Sequence, residues 1–181
     1  TLLAQAGRDL LEEGEQQELE LCLLRLENNA VQAMKEMRLL LFELRPINLQ
    51  ETGLVRALEA RLDAVERRTG LQALLIAEPV DAVPESTQNE LYRICVEALN
   101  NSLKHAKANR VQITIRHQED LLQIEIDDDG QGFDQSQIRP GGFGIQSMQE
   151  RARELGAVFT IDSTPGKGVL IRLSMSAKTK R

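Results

Sequence analysis

The hydrophobic pattern changes character along the chain, and the change separates a stalk from a layered domain. Residues 1 to 45 read as two helices broken near Glu13-Gly14-Glu15. In the second, Leu19, Leu23, Leu26, Ala30, Ala33, Met37, Leu40 and Leu44 recur at alternating spacings of four and three. That heptad register predicts a coiled coil or a helical bundle. A core-facing helix of a monomer would carry a similar stripe, but the length of the seam points to association between subunits. Pro46 stops the helix, because proline lacks the N–H and disfavours helix in the residue before it.

After a connection from Pro46 to Gly53, the pattern predicts a helix from Leu54 to Thr69, with Gly70 as its stop. A strand is predicted over 71–77, then an acidic, proline-containing loop to Pro84. A long helix capped by Ser86 or a neighbour should run from Thr87 to Ala106. Period-two alternation then takes over: Val111, Ile113 and Ile115 share one face, as do Leu122, Ile124 and Ile126, with a hairpin turn at Gln118-Glu119-Asp120. A glycine-rich stretch, 130–144, leads into a helix over 145–155 ended by Gly156. Strands over 158–163 and 168–175 follow, joined by Thr164-Pro165-Gly166-Lys167. The polar tail 177–181 should fray.

This order describes an α+β fold, a two-layer α/β sandwich preceded by a helical stalk. Hairpin-length connections require a mixed or largely antiparallel sheet. The expected division is a stalk over 1–46, the sandwich over 47–176 and a tail over 177–181.

Composition narrows the function classes. The 181 residues carry a net charge of −6 and only 3% aromatics, which argues against a nucleic-acid surface or a base-stacking platform. Cys22 and Cys95 form no CxxC pair and read as buried free thiols of a reducing, cytoplasmic compartment. No apolar run approaches the ~20 residues that span a bilayer, so no direct membrane contact is expected. Without an initiator Met, the chain is expected to be part of a longer protein, whose anchoring stays open.

Three segments carry candidate chemistry. In EALNNSLKHA, Glu97, Asn101 and Lys104 recur at i, i+4 and i+7 and should share one helix face, with Val96, Leu99 and Leu103 turned toward the sheet. A carboxylate, a carboxamide and an ammonium together suit a hydrated Mg²⁺ carrying phosphates. In DDDGQGF a strand ends in carboxylates and glycines, and one Asp there can accept from an exocyclic amine. A calcium-loop alignment fails because Ser136 stands where Glu is needed. In GGFGIQSMQERARELG, Gly142 and Gly144 precede a helix whose first N–H groups can bind an anion. It is neither a Walker A loop nor a GxGxxG turn. Taken singly, each segment is as readily a solvated helix face, an acidic turn or a glycine hinge.

In order, EALNNSLKHA, DDDGQGF, GGFGIQSMQERA and TPGKGV resemble the N, G1, G2 and terminal glycine boxes of the GHKL ATPases, whose fold is the Bergerat sandwich with helices on one face of a mixed sheet. The KHA ending and the GxGxxxMxER run resemble the nitrate-sensor and DesK-type branch of the sensor histidine kinases, and LFELRPINL resembles the junction after that branch's dimerisation helices. The resemblance implies ATP and Mg²⁺ as cofactors, a homodimer through the stalk, and a response-regulator receiver domain as partner. It implies that Asn101 ligates Mg²⁺, that Glu97 holds a metal-bound water or assists proton transfer, and that Lys104 and His105 face the triphosphate. Asp128 would accept from the adenine amino group, with Gly130 and Gly132 shaping its turn. Gly142 and Gly144 would approach the phosphates, Gly166 and Gly168 would close the adenine side, and 134–141 would form a lid. Val169 stands where the family usually has Thr.

A kinase of this kind needs a phosphoacceptor histidine in its first dimerisation helix. The two histidines here are His105, inside the nucleotide box, and His117, at a strand end. Neither fits, so no phosphoacceptor is expected in this chain, which should begin downstream of it. The sequence leaves two other readings open: a GHKL nucleotide switch or dimerisation module without phosphotransfer, and an anti-sigma-factor-type serine kinase.

Overall fold

The structure, a computed structural model, describes residues 5, 7–8, 10–11, 16–43, 49–80, 83–134 and 143–177, with backbone alone at 32–43, 50 and 143. The chain divides into two units, Thr1–Ile47 and Asn48–Arg181. The first contains helix α1 (Gln16–Glu43). Of its predicted seam, Leu19 and Leu26 are half-buried while Leu23 and Ala30 are exposed, and Cys22 is the buried position. The side chains of Ala33, Met37 and Leu40, and all of Leu44, Pro46 and the 13–15 break, lie outside the described residues.

The second unit opens with α2 (Leu49–Thr69), which Gly53 interrupts with a non-helical backbone, φ 70° and ψ 164°. One helical turn therefore precedes the predicted start at Leu54. The break leaves the Leu54 N–H without an intrahelical acceptor, and the Gln88 side chain supplies one at 2.9 Å while its own amide donates to the Val83 carbonyl at 2.8 Å. Gly70, at φ 72°, ends the helix by donating to the Glu66 carbonyl.

Strand β1 (Gln72–Ala77) leads to α3 (Glu85–Asn101). Pro84, not Ser86, stands at its N-cap, and no side chain caps it. The helix does not end as an α-helix: Ser102–Ala106 forms a π-turn, closed by Lys107 in the left-handed region at φ 50°. Strands β2 (Arg110–Gln118) and β3 (Leu121–Asp128), helix α4 (Phe143–Glu154), and strands β4 (Val158–Ser163) and β5 (Val169–Ser176) complete the unit. The sheet order is β1-β2-β3-β5-β4, with β1 parallel to β2 and every other pair antiparallel. The mixed sheet expected from the connections is what forms.

One sheet face carries Val111, Ile113, Ile115, Leu122, Ile124, Ile126, Ile171 and Leu173, packed with Leu54, Leu58, Leu91, Ile94, Leu99 and Met148 of the helices. Burying each large aliphatic side chain contributes about 1.5–3 kcal/mol, so this layer dominates stability. Val96 stays half-exposed, and the helix instead buries Ala98 and Asn100, the latter accepting from the buried Arg61 guanidinium at 3.0 Å. The opposite sheet face carries Glu125 between Arg116 and Arg172, with Arg172 also paired to Asp162, and leaves Leu74 and Ile76 of β1 exposed.

Candidate functional site

The three consecutive aspartates at the end of β3 take three directions. Asp127 points to the outer face, 3.6 Å from Arg110. Asp128, one pleat on, faces the helices and is 7% exposed. Its Oδ2 accepts from the Ser102 hydroxyl at 2.8 Å and its Oδ1 from the Gly130 N–H at 2.9 Å. Asp129 lies past the strand and accepts from the Asn109 and Arg110 backbone N–H groups at 2.7 and 2.8 Å. The backbone N–H of Arg110, with smaller help from those of Asn109 and Asp129 itself, holds the Asp129 carboxyl below its usual range.

Glycines let the surrounding turns touch. A Cβ on Gly130 would collide with Ala106 at the end of the π-turn. One on Gly132, at φ +57°, would collide with the Thr164 carbonyl, and one on Gly168, at φ +73°, with the carbonyl of Asp128 itself. Gly166 sits in an open turn and donates to the Gln131 carbonyl at 2.6 Å. Gln131 in turn donates its backbone N–H to Ala106 and its side-chain amide to the His105 carbonyl, both at 2.7 Å. The Asp128 turn is thereby tied to the β4–β5 turn on one side and to the π-turn on the other.

A cavity of about 400 Å³ opens between α3, β3, β5 and α4. Ile126, Met148, Ile161, Val169 and Ile171 give it apolar walls, with Asp128 and Ser102 among them. Glu97, Asn101, Lys104, His105, Gly132 and Gly144 also line it. Of the residues expected from the sequence, these six and Asp128 thus share one cavity. Gly130, Gly166 and Gly168 stand behind the wall, where they set backbone approaches. Gly142 and residues 135–141 lie outside the described residues.

The π-turn shifts the helical register after Asn101, and Lys104 and His105 are exposed. Gly144, in the first turn of α4, packs so closely on α3 that a Cβ there would strike the Glu97 carboxylate. Arg151 fixes that approach farther along the same two helices, bonding Glu90 at 2.5 Å and the Ser147 hydroxyl at 3.3 Å. Among the described residues, no group of three His, Cys, Asp or Glu side chains could hold a metal ion. A magnesium ion beside Asn101 and Glu97 would therefore draw further oxygens from phosphates and water, which suits its chemistry. Cys95 takes no part: burial pushes its thiol up to about 12, so it stays neutral in the core.

Sequence reasoning missed Ser102. The hydroxyl sits directly after Asn101 and one turn past the buried Ala98, yet its partner Asp128 lies 26 residues away in sequence.

Residues 86–179 match the family described as histidine kinase-, DNA gyrase B-, and HSP90-like ATPase. An uncharacterized sensor-like histidine kinase of Chloroflexus aurantiacus is 39% identical over 147 residues, covering 76% of this chain and 25% of its own. The sensor histidine kinase LiaS of Bacillus subtilis is 32% identical over 158 residues, covering 83% of this chain and 41% of its own. The chain thus spans about a quarter to two-fifths of the length of these curated relatives. In fold, it is similar to the histidine kinase domain of the Erythrobacter litoralis EL346 blue-light activated histidine kinase, with a TM-score of 0.59, 23% identity, and coverage of 67% of this chain and 60% of that one. The ATP binding domain of PrrB from Mycobacterium tuberculosis gives a TM-score of 0.55 at 20% identity, covering 71% of this chain and 94% of that one. No described helix is long and apolar enough to cross a membrane. The curated relatives named above are sensor or sensor-like histidine kinases, and with just over half of its length inside the family match, the chain belongs to the histidine kinase-, DNA gyrase B- and HSP90-like ATPases.

Proposed function

We propose that the second unit binds ATP with Mg²⁺ and forms the catalytic core of a two-component sensor kinase, passing the γ-phosphoryl group to a histidine for relay to a response-regulator aspartate. The observation that carries this is the joining of two chemistries in one cavity: a buried carboxylate among apolar walls, and Glu97, Asn101 and Lys104 on the same lining. The adenine ring suits the apolar walls, with its amino group donating to Asp128. Asn101 would ligate Mg²⁺, Glu97 would hold a metal-bound water or assist proton transfer, Lys104 would neutralise phosphate charge, and His105 would face the triphosphate. Gly142 and Gly144 would bring backbone N–H groups to the same charge. Catalysis in such a site is mainly positioning and charge neutralisation.

Helix α1 supports a homodimer. Leu23 and Leu24, adjacent around the helix, are each more than half exposed, and a second copy's helix would cover them. A nucleotide switch without transfer would use the same cavity, so nucleotide binding alone does not separate the two readings. One experiment separates the two. The chain, extended at its N-terminus by its native sequence, is incubated with labelled Mg-ATP and assayed for acid-labile, base-stable protein phosphate. Incorporation supports the kinase; ATP binding without incorporation supports the switch.

A further inference from the structure

We propose that Ser102 sets the base specificity of the site by fixing the Asp128 carboxylate for a purine that carries a 6-amino group. The inference rests on the ATP reading above and extends it to a residue that this reading does not use.

Ser102 is a buried hydroxyl, 3% exposed, on the cavity lining. Two acceptors lie within its reach, the Ala98 carbonyl one turn back at 3.2 Å and Asp128 Oδ2 at 2.8 Å. A hydroxyl has one proton, and the shorter contact, to the carboxylate, takes it. The Gly130 N–H holds the other oxygen at 2.9 Å. Asp128 is thus restrained at both oxygens, and each keeps a lone pair for an incoming donor. A carboxylate held this way can receive an N–H donor, whereas the carbonyl oxygen of a 6-oxo purine would oppose it with a lone pair. The other neighbours cannot substitute for Ser102. Val169, the cross-strand partner of Asp128, offers only methyl groups, and Ile126, Ile161 and Ile171 are hydrocarbon.

Ser102 keeps the α-helical spacing of α3, its backbone N–H bonding the Ala98 carbonyl, so it continues the inward face of Cys95 and Ala98 and meets the carboxylate there. Ser102 is the first residue of the π-turn, and its neighbour Asn101 lines the same cavity. Adjacent residues on one helix thus serve different parts of the ligand. Ser102 acts through Asp128, so it is a positioning residue.

The test is titration of the full chain with Mg-ATP and Mg-ITP, which differ at purine position 6, each competed against a fluorescent nucleotide. The wild type, Ser102→Ala and Ser102→Thr are compared. The expected result is that Ser102→Ala loses about tenfold in ATP affinity, because the 6-amino group then meets a carboxylate it must itself order, with ITP affinity unchanged. Ser102→Thr, which keeps the hydroxyl, should restore the preference for ATP. An equal loss for both nucleotides would mean that the residue only supports the cavity, and would overturn the proposal. Unchanged ATP affinity in Ser102→Ala would overturn it as well. A wild type that binds neither nucleotide would instead remove the ATP reading on which the proposal rests.

Discussion

The Asp128 region and the Lys104 region of the cavity are built on opposite principles. Around Asp128 the parts are buried, restrained and interlocked: both carboxylate oxygens are bonded, and the backbones of Gly132 and Gly168 meet neighbouring carbonyls where no side chain fits. Around Lys104 and His105 the side chains are exposed and extend from a π-turn. On the ATP reading proposed above, the contrast separates recognition by shape from recognition by charge. A purine is rigid and benefits from a preformed slot, while a triphosphate is met by long side chains and helix-end N–H groups.

The comparison breaks hardest at Gly168. Alanine there would need φ near +73° and would press its Cβ onto the Asp128 carbonyl, so Gly168→Ala should cost about 2–4 kcal/mol of stability and abolish ATP binding. Urea denaturation and nucleotide titration together check both effects. At the other end, Asn101→Ala should leave the urea midpoint within about 0.5 kcal/mol of wild type, since the side chain is half-exposed, yet lower Mg-dependent ATP affinity about 100-fold. A loss that persists equally without Mg²⁺ would remove the metal role. Asp128→Asn exchanges a carboxylate for an amide that can present its donor side, and about a tenfold loss of ATP affinity is expected. Equal affinity for wild type and variant would count against the amine contact.

The smallest effect concerns acid stability. Asp129 has its carboxyl lowered by the backbone N–H groups that it accepts, so its stabilisation is complete above the usual carboxyl value of 3.8 and is lost as pH falls through the lower folded value. Asp129→Asn removes the charge and keeps an acceptor. Its stability should fall less steeply than that of wild type when unfolding is measured from neutral pH down to pH ~3. Identical slopes would show that another group governs the acid limb.

Much of this was legible because local periodicity is a local signal. The alternation at Val111, Ile113 and Ile115 and at Leu122, Ile124 and Ile126 placed β2 and β3 and their inward faces, and β4 coincides with its predicted span. The spacing of Glu97 and Asn101 placed both on one cavity. What stayed hidden depends on contacts distant in sequence. The break at Gly53 looks like any connection until the Gln88 side chain is seen to accept from the Leu54 N–H. Glycines at 130, 132 and 168 announced tight turns, but not that Ala106, Thr164 and Asp128 are their contacts. Ser102 reads as another polar helix residue until Asp128, 26 residues on, is seen to accept from it, and the π-turn has no periodic signature in SLKHA. In α1 the heptad spacing marked an apolar stripe, while among the described side chains of that helix the buried one is Cys22, off that seam.

The central claim is that the second unit is an ATP-binding site whose phosphate end uses Mg²⁺. Calorimetric titration of the chain with ATP, with and without Mg²⁺, tests it most directly. The account predicts saturable one-to-one binding that weakens sharply when the metal is chelated. Absence of binding heat at millimolar Mg-ATP, at two temperatures and from chain shown by circular dichroism to be folded, would contradict it.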